Sequence, residues 1–132
     1  RINVNRYELK DRATLVLGDL FNVSGMVSDK WDVIVSNPPY LAAADWDGVQ
    51  EELKAEPREA LDGGTDGLDF YRRIVAEAKA HLAPAGMLAL ELGQGQGETV
   101  SKWLQDAGYD NIQRFRDYSG IERVIIARRG EV

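Results

Sequence analysis

No cysteine occurs in the 132 residues of this chain. Disulfides and thiolate-held metal ions are thereby excluded. Histidine is almost as scarce. His81 stands alone, so neither a histidine-based metal site nor a Ser-His-Asp triad is expected. No apolar run approaches the roughly 20 residues a membrane-crossing helix needs, and nothing at the start reads as a signal peptide. No membrane partner is expected, and a cytoplasmic location is the default. Positive charge is in deficit: 16 Lys and Arg face 22 Asp and Glu, a net charge of −6. Such a balance suits a phosphate backbone poorly and counts against nucleic acid as a partner. Internal repeats, low-complexity tracts and interdomain linkers are missing too. What is present, 44% hydrophobic and 29% charged residues, is the composition of one ordinary globular domain.

Only four prolines occur, and two of them are adjacent, in Asn37-Pro38-Pro39-Tyr40. The stretch before them, Trp31 to Ser36, is short, apolar and β-branched, as in a buried strand of a parallel sheet. Neither proline can donate a ladder N–H, so the strand stops there. A stiff polar loop then lies beyond its carboxyl end, the edge at which open α/β sheets bind ligands. Asn37 carries an acceptor and a two-hydrogen donor on one planar group. The proline carbonyls add acceptors, and Tyr40 adds a flat aromatic face. This set suits a planar group bearing an NH2, with two acceptors on its hydrogens and a ring over its face. Asn-Pro also marks ordinary turns, but its place directly after an apolar strand favours a functional loop.

Arg1 to Lys10 reads as the tail of a helix running into a turn at Lys10-Asp11-Arg12. Ala13 to Leu17 is a candidate strand ended by Gly18-Asp19. Asp19 could accept hydrogen bonds from an exocyclic amine at that edge, or simply form the turn; the residues alone leave both open. Leu20 to Lys30 is a loop with Phe21, Val23 and Met26 turned inward. Leu41 to Glu59 is a long irregular segment with a helical turn near Val49 to Leu53, placed to cover a substrate. Gly63 to Gly67 is a flexible turn, lacking the Lys-Ser/Thr of a P-loop. It leads into a helix over Leu68 to Leu82 capped by Thr65 or Asp66. Tyr71, Ile74, Val75, Ala78 and Leu82 form that helix's core stripe, which leaves His81 solvated.

Pro84-Ala85-Gly86 then turns the chain into a buried strand, Met87 to Leu92. Gly93 to Gly97 is a strand-to-helix turn, without the crossover and acidic residue of a dinucleotide fingerprint. A helix over Glu98 to Ala107 points Val100, Trp103 and Leu104 inward and ends at Gly108. Asn111 to Asp117 and Glu122 to Ala127 are strands whose short connection requires an antiparallel pair.

The tetrapeptide resembles the substrate-amine loop of S-adenosylmethionine-dependent methyltransferases that modify planar nitrogens. Glu56-Pro57, Ala60-Leu61, Gly63-Gly64, Asp66-Gly67-Leu68 and Tyr71-Arg72, at their spacings, are similar to the HemK-like release-factor glutamine methyltransferases. Leu90-Glu91-Leu92-Gly93, Gln96, Asp117, Gly120 and Arg123 extend the resemblance over essentially the whole chain. Ala55 departs from the pattern. The resemblance implies an α/β, class I (Rossmann-like) sheet with an antiparallel terminal hairpin. It implies S-adenosyl-L-methionine as methyl donor, no metal, and a peptide-chain release factor as protein partner. The reaction would be methylation of the glutamine side-chain amide in the Gly-Gly-Gln motif. Asn37, Pro38 and Tyr40 would then be catalytic, Pro39 would complete the substrate loop, and Asp19, Leu20 and Asn37 would touch the cofactor, with Asp19 at the adenine amine.

An rRNA or DNA amino-methyltransferase using the same loop is the alternative, and the net charge and the Glu56 to Arg72 segment count against it. The family's glycine-rich cofactor cradle, the following ribose-binding strand and the N-terminal helical domain have no counterpart here. Arg1 to Asn5 resembles the helix after that strand, with Asn3 matching. Residues 1–132 are therefore expected to be the C-terminal part of a catalytic domain, a fragment with weak or absent cofactor binding that is inactive by itself. Glu91 and Arg123 are held as structural: a mutual pair or separate strand-end ligands fit equally well.

Overall fold

The computed structural model describes residues 2–23, 30–48 and 55–131. Among the described residues the regular elements are α1 (Ile2–Arg6), β1 (Trp31–Ser36), α2 (Asp69–His81), β2 (Leu82–Glu91), α3 (Gly97–Asp106), β3 (Tyr109–Arg116) and β4 (Glu122–Arg129). The strands form one sheet in the order β1-β2-β4-β3. β1 and β2 run parallel, with α2 in the connection between them. β4 is antiparallel to both β2 and β3. The expected terminal hairpin is present, and its last strand is inserted between β2 and β3. A short connection, the five residues Asp117 to Ile121, dictates the hairpin but not which of its strands meets the sheet.

Periodicity explains the core. Tyr71, Ile74, Val75 and Ala78 recur at helical spacing and are buried along α2. On β2, Leu88 and Leu90 alternate inward and pair with Ala127 and Ile125 of β4. Val100 and Leu104 of α3 close the same cluster. α2 and α3 therefore lie on one face of the sheet. Burying each such aliphatic side chain contributes about 1.5–3 kcal/mol. The hairpin turn is held by Asp117, whose Oδ1 accepts the N–H groups of Ser119 at 2.8 Å and Ile121 at 3.0 Å.

Several expectations are corrected. Ala13 to Leu17 is not a strand. It pairs with nothing described, and Leu17 is 97% exposed. β1 is parallel as expected but not buried: it is the edge of the described sheet, and Val35 on the face away from the helices is 73% exposed. An apolar β-branched run tells what can pair, not whether a partner is present. His81 is not simply solvated. It stacks on Phe21 with ring centroids 4.7 Å apart and planes 5° from parallel. No side chain caps α2, whose N-cap is Leu68. Asp66 instead accepts the Leu68 N–H at 3.1 Å and pairs with Arg72. Trp103 is only half-buried, with the Arg72 guanidinium 5.1 Å over its ring. β2 begins at Leu82 rather than Met87 and passes through Ala85 at φ 60°.

The long segment after Tyr40 carries 3-10 turns at Ala43–Gly48 and Arg58–Ala60. Met26 and the helical turn near Val49 to Leu53 lie outside the described residues. No described helix is long and apolar enough to cross a membrane.

Candidate active site

Parallel pairing sets the site. Ser36 is in register with Leu90, so the loop leaving β1 and the residues ending β2 emerge side by side. Asn37 is exposed, Pro38 is buried, and Pro39 and Tyr40 are half-buried. All four line a cavity of about 290 Å³ together with Glu56 and Glu91. The Tyr40 hydroxyl donates to Glu91 Oε1 at 3.3 Å. The sequence-predicted loop is thus brought together as a unit, with two carboxylates added.

The loop is fixed from behind by Gln96, just before α3. Its Nε2 donates to the Tyr40 carbonyl at 3.0 Å and to the Gly67 carbonyl at 3.2 Å, and its Oε1 accepts the Gly93 N–H at 3.0 Å. Three separate stretches are therefore joined by one side chain. The glycines make the close approach possible. Gly67 has φ +75°, and a Cβ there would meet the Tyr40 carbonyl oxygen; a Cβ on Gly63 would lie 2.8 Å from Tyr40 Cα. The Gly63 to Gly67 turn is thus a packing surface for the loop rather than a flexible connection. The segment before it is pinned as well. Leu41 N–H donates to the Leu61 carbonyl and Gly63 N–H to the Leu41 carbonyl, each at 2.9 Å. This places Glu56 and Leu61 in the cavity wall.

Burial raises the Tyr40 phenol above its ordinary value, the neighbouring Glu91 carboxylate raises it further, and Arg123 opposes both. A phenol held neutral serves as a donor and a flat surface, not as a base. Behind it, the Tyr71 hydroxyl donates to the Glu91 carbonyl at 2.8 Å. Glu91 and Arg123 are not each other's partners. Glu91 holds Tyr40, while Arg123 Nε donates to Asp117 Oδ2 at 3.2 Å. The Ile121 N–H, opposed next by burial and then helped by the Arg123 guanidinium and the Ser119 N–H, holds the Asp117 carboxyl below its usual range.

Asp19 forms the turn of its second reading. Its N–H and carbonyl bond Asn22 at 3.3 and 3.0 Å, forming a turn. Its exposed carboxylate takes a bond at 2.7 Å from Arg73 Nη2 through Oδ2. The half-buried Leu20, at φ 52°, lines a second cavity of about 160 Å³ with Phe21, Ile34, Ser36 and Ile74. The lining is apolar apart from Ser36, the residue before Asn37. Gln96 and Gly67 as loop anchors were not foreseen; glycine pairs flanking both stretches were the available signal.

No protein-family model matches the chain. In sequence it is similar to the release factor glutamine methyltransferase of Geobacter sulfurreducens, 48% identical over 120 residues that make up 90% of this chain and 42% of that protein. It is also similar to that of Gloeobacter violaceus, 42% identical over 126 residues, 94% of this chain and 43% of that protein. The chain therefore spans less than half the length of these curated relatives. In structure it resembles a methyltransferase from Pyrococcus furiosus with a TM-score of 0.67 at 23% identity, over 98% of this chain and 55% of that one. The fold is that of part of a class I, Rossmann-like methyltransferase sheet. Along nearly its whole length, then, this chain is a relative of the release factor glutamine methyltransferases, homologous to less than half of each.

Proposed function

We propose that residues 1–132 are part of a catalytic domain that methylates the side-chain amide nitrogen of the glutamine in the Gly-Gly-Gln motif of peptide-chain release factors. The observation that carries this reading is the convergence of Asn37, Pro38 and Tyr40 on one cavity of about 290 Å³. S-adenosyl-L-methionine, when bound, supplies a methyl group on a positively charged sulfonium. Leu20, Phe21 and Ser36 would hold its adenine end, with Asp19 at the exocyclic amine and Asn37, the residue after Ser36, also in contact.

An amide nitrogen is a poor nucleophile because its lone pair is shared with the carbonyl. The Asn37 side-chain oxygen and the Pro38 carbonyl accept its two N–H bonds, orient it, and favour pyramidalisation as positive charge develops. Tyr40 packs on the amide plane. The cofactor would supply the methyl carbon and the sulfur leaving group, and the surplus N–H proton would pass to water afterwards, so Asn37 and Pro38 would orient the amide without removing a proton beforehand. The net charge of −6 supports a protein substrate over a nucleic acid.

The test is methyl transfer by the longest native form of this chain to a release factor bearing the Gly-Gly-Gln loop. Asn37→Ala is expected to lower turnover roughly 100-fold or more, as loss of a transition-state hydrogen-bonding group does. No methylated glutamine with the wild type would overturn the reading. The isolated 132 residues, in whose sequence the family's glycine-rich cofactor cradle has no counterpart, are expected to bind S-adenosyl-L-methionine weakly; a micromolar dissociation constant by calorimetry would contradict that.

A further inference from the structure

β2 ends on a carboxylate that faces the same cavity as the loop. Glu91 is half-buried there, and the Tyr40 hydroxyl is its side-chain partner at 3.3 Å. Arg123, on the strand paired with β2, turns its guanidinium to Asp117 instead. Among the described residues, no cation forms an ion pair with Glu91. Among the described residues, the cavity thus holds a carboxylate without a direct ion-pair partner, beside a group of neutral acceptors.

We propose that Glu91 sets the class of side chain this cavity admits, accepting the neutral carboxamide of glutamine and rejecting the carboxylate of glutamate. The two side chains have nearly the same shape, so shape alone does not separate them. A carboxamide brings two N–H donors, which Asn37, the Pro38 carbonyl and the Glu91 carboxylate can share. A glutamate brings no donor, and places a like charge in a partly desolvated cavity. Glu56 acts in the same sense, but it is exposed and more fully screened. The inference rests on the reading of the cavity as the glutamine-amide site.

A release-factor peptide with Gly-Gly-Gln and its Gly-Gly-Glu counterpart are titrated against the longest native form as wild type, Glu91→Gln and Tyr40→Phe. Thermal unfolding confirms that each variant is folded. The wild type is expected to prefer the glutamine peptide, and Glu91→Gln to narrow that preference by about tenfold, the effect of one screened like-charge contact. Tyr40→Phe removes the bond to Glu91 but not the charge, so it should weaken both peptides and keep their ratio. A purely structural Glu91 would lower both affinities together in Glu91→Gln. An unchanged ratio in Glu91→Gln, or a ratio in Tyr40→Phe narrowed as much as in Glu91→Gln, overturns the inference while the amide site stands. If the wild type does not prefer glutamine at all, the amide-site reading falls with it.

Discussion

The residues before α2 and those from α2 onward are held in different ways. Among the described residues, all thirteen buried hydrophobic side chains lie between Tyr71 and Ala127. Before α2, among the described residues, Pro38, Gly63 and Gly67 alone reach that degree of burial. The candidate site spans this divide. Asn37 to Tyr40 come from the looser part, while Glu91 and Gln96 come from the firm one. The loop is positioned by what the firm part attaches to it rather than by a core of its own. Global stability and site geometry should therefore respond to different substitutions.

The largest expected effect tests the divide directly. Leu90 is 1% exposed at the centre of the sheet, and Leu90→Ala should cost about 2–5 kcal/mol through lost burial and a cavity. Val35, on the outer face of β1, should tolerate alanine within roughly 0.5 kcal/mol. Urea unfolding measures both. Equal costs would break the comparison, because they would mean that the outer face of β1 is covered.

Attachment of the loop comes next. Gly67→Ala should cost about 1–3 kcal/mol, since alanine would have to hold a positive φ against the Tyr40 carbonyl. Gln96→Glu keeps the acceptor for the Gly93 N–H but removes both donors, leaving the Tyr40 and Gly67 carbonyls facing a carboxylate. A comparable loss of about 1–3 kcal/mol is expected. Both should also weaken release-factor binding, whereas Leu90→Ala, at equal folded fraction, should not. If Gly67→Ala unfolds the chain but leaves binding by the folded fraction intact, the attachment does not position the loop.

Legibility in the sequence follows the same division. The α2 stripe, the Leu88 and Leu90 alternation and the hairpin could be read because their partners lie within this chain and periodicity reports burial locally. The place of Asn37 to Tyr40 could be read because consecutive prolines stop a strand wherever they occur. Ala13 to Leu17 and the outer face of β1 were misread because their pattern satisfies a strand whether or not a neighbour exists. Gly67 and Gln96 were missed as anchors for another reason. Their roles depend on distances to Tyr40, 27 and 56 residues away in the chain, and no local pattern encodes those distances. The choice between Glu91–Arg123 and separate partners was likewise decided by Asp117, which takes Arg123.

The smallest expected effect lies at the seam itself, in the titration of Tyr40. Its phenol is raised first by burial and then by Glu91. A raised value in the folded state means that the neutral phenol contributes stability in full below the unfolded value of about 10, and that this contribution is lost as pH rises through the folded value. The absorbance difference between wild type and Tyr40→Phe isolates this group. Its midpoint should lie above the ordinary phenol value, and Glu91→Gln should lower it without returning it there, because burial is the larger cause. No change in Glu91→Gln would mean that Tyr40 and Glu91 do not meet, so the loop would be tied to the firm part through Gln96 without them. A full return to the ordinary value would mean that charge alone shifts the phenol. The loop would then be as open to water as the outer face of β1, and Gln96 would be holding a flexible segment rather than completing a cavity.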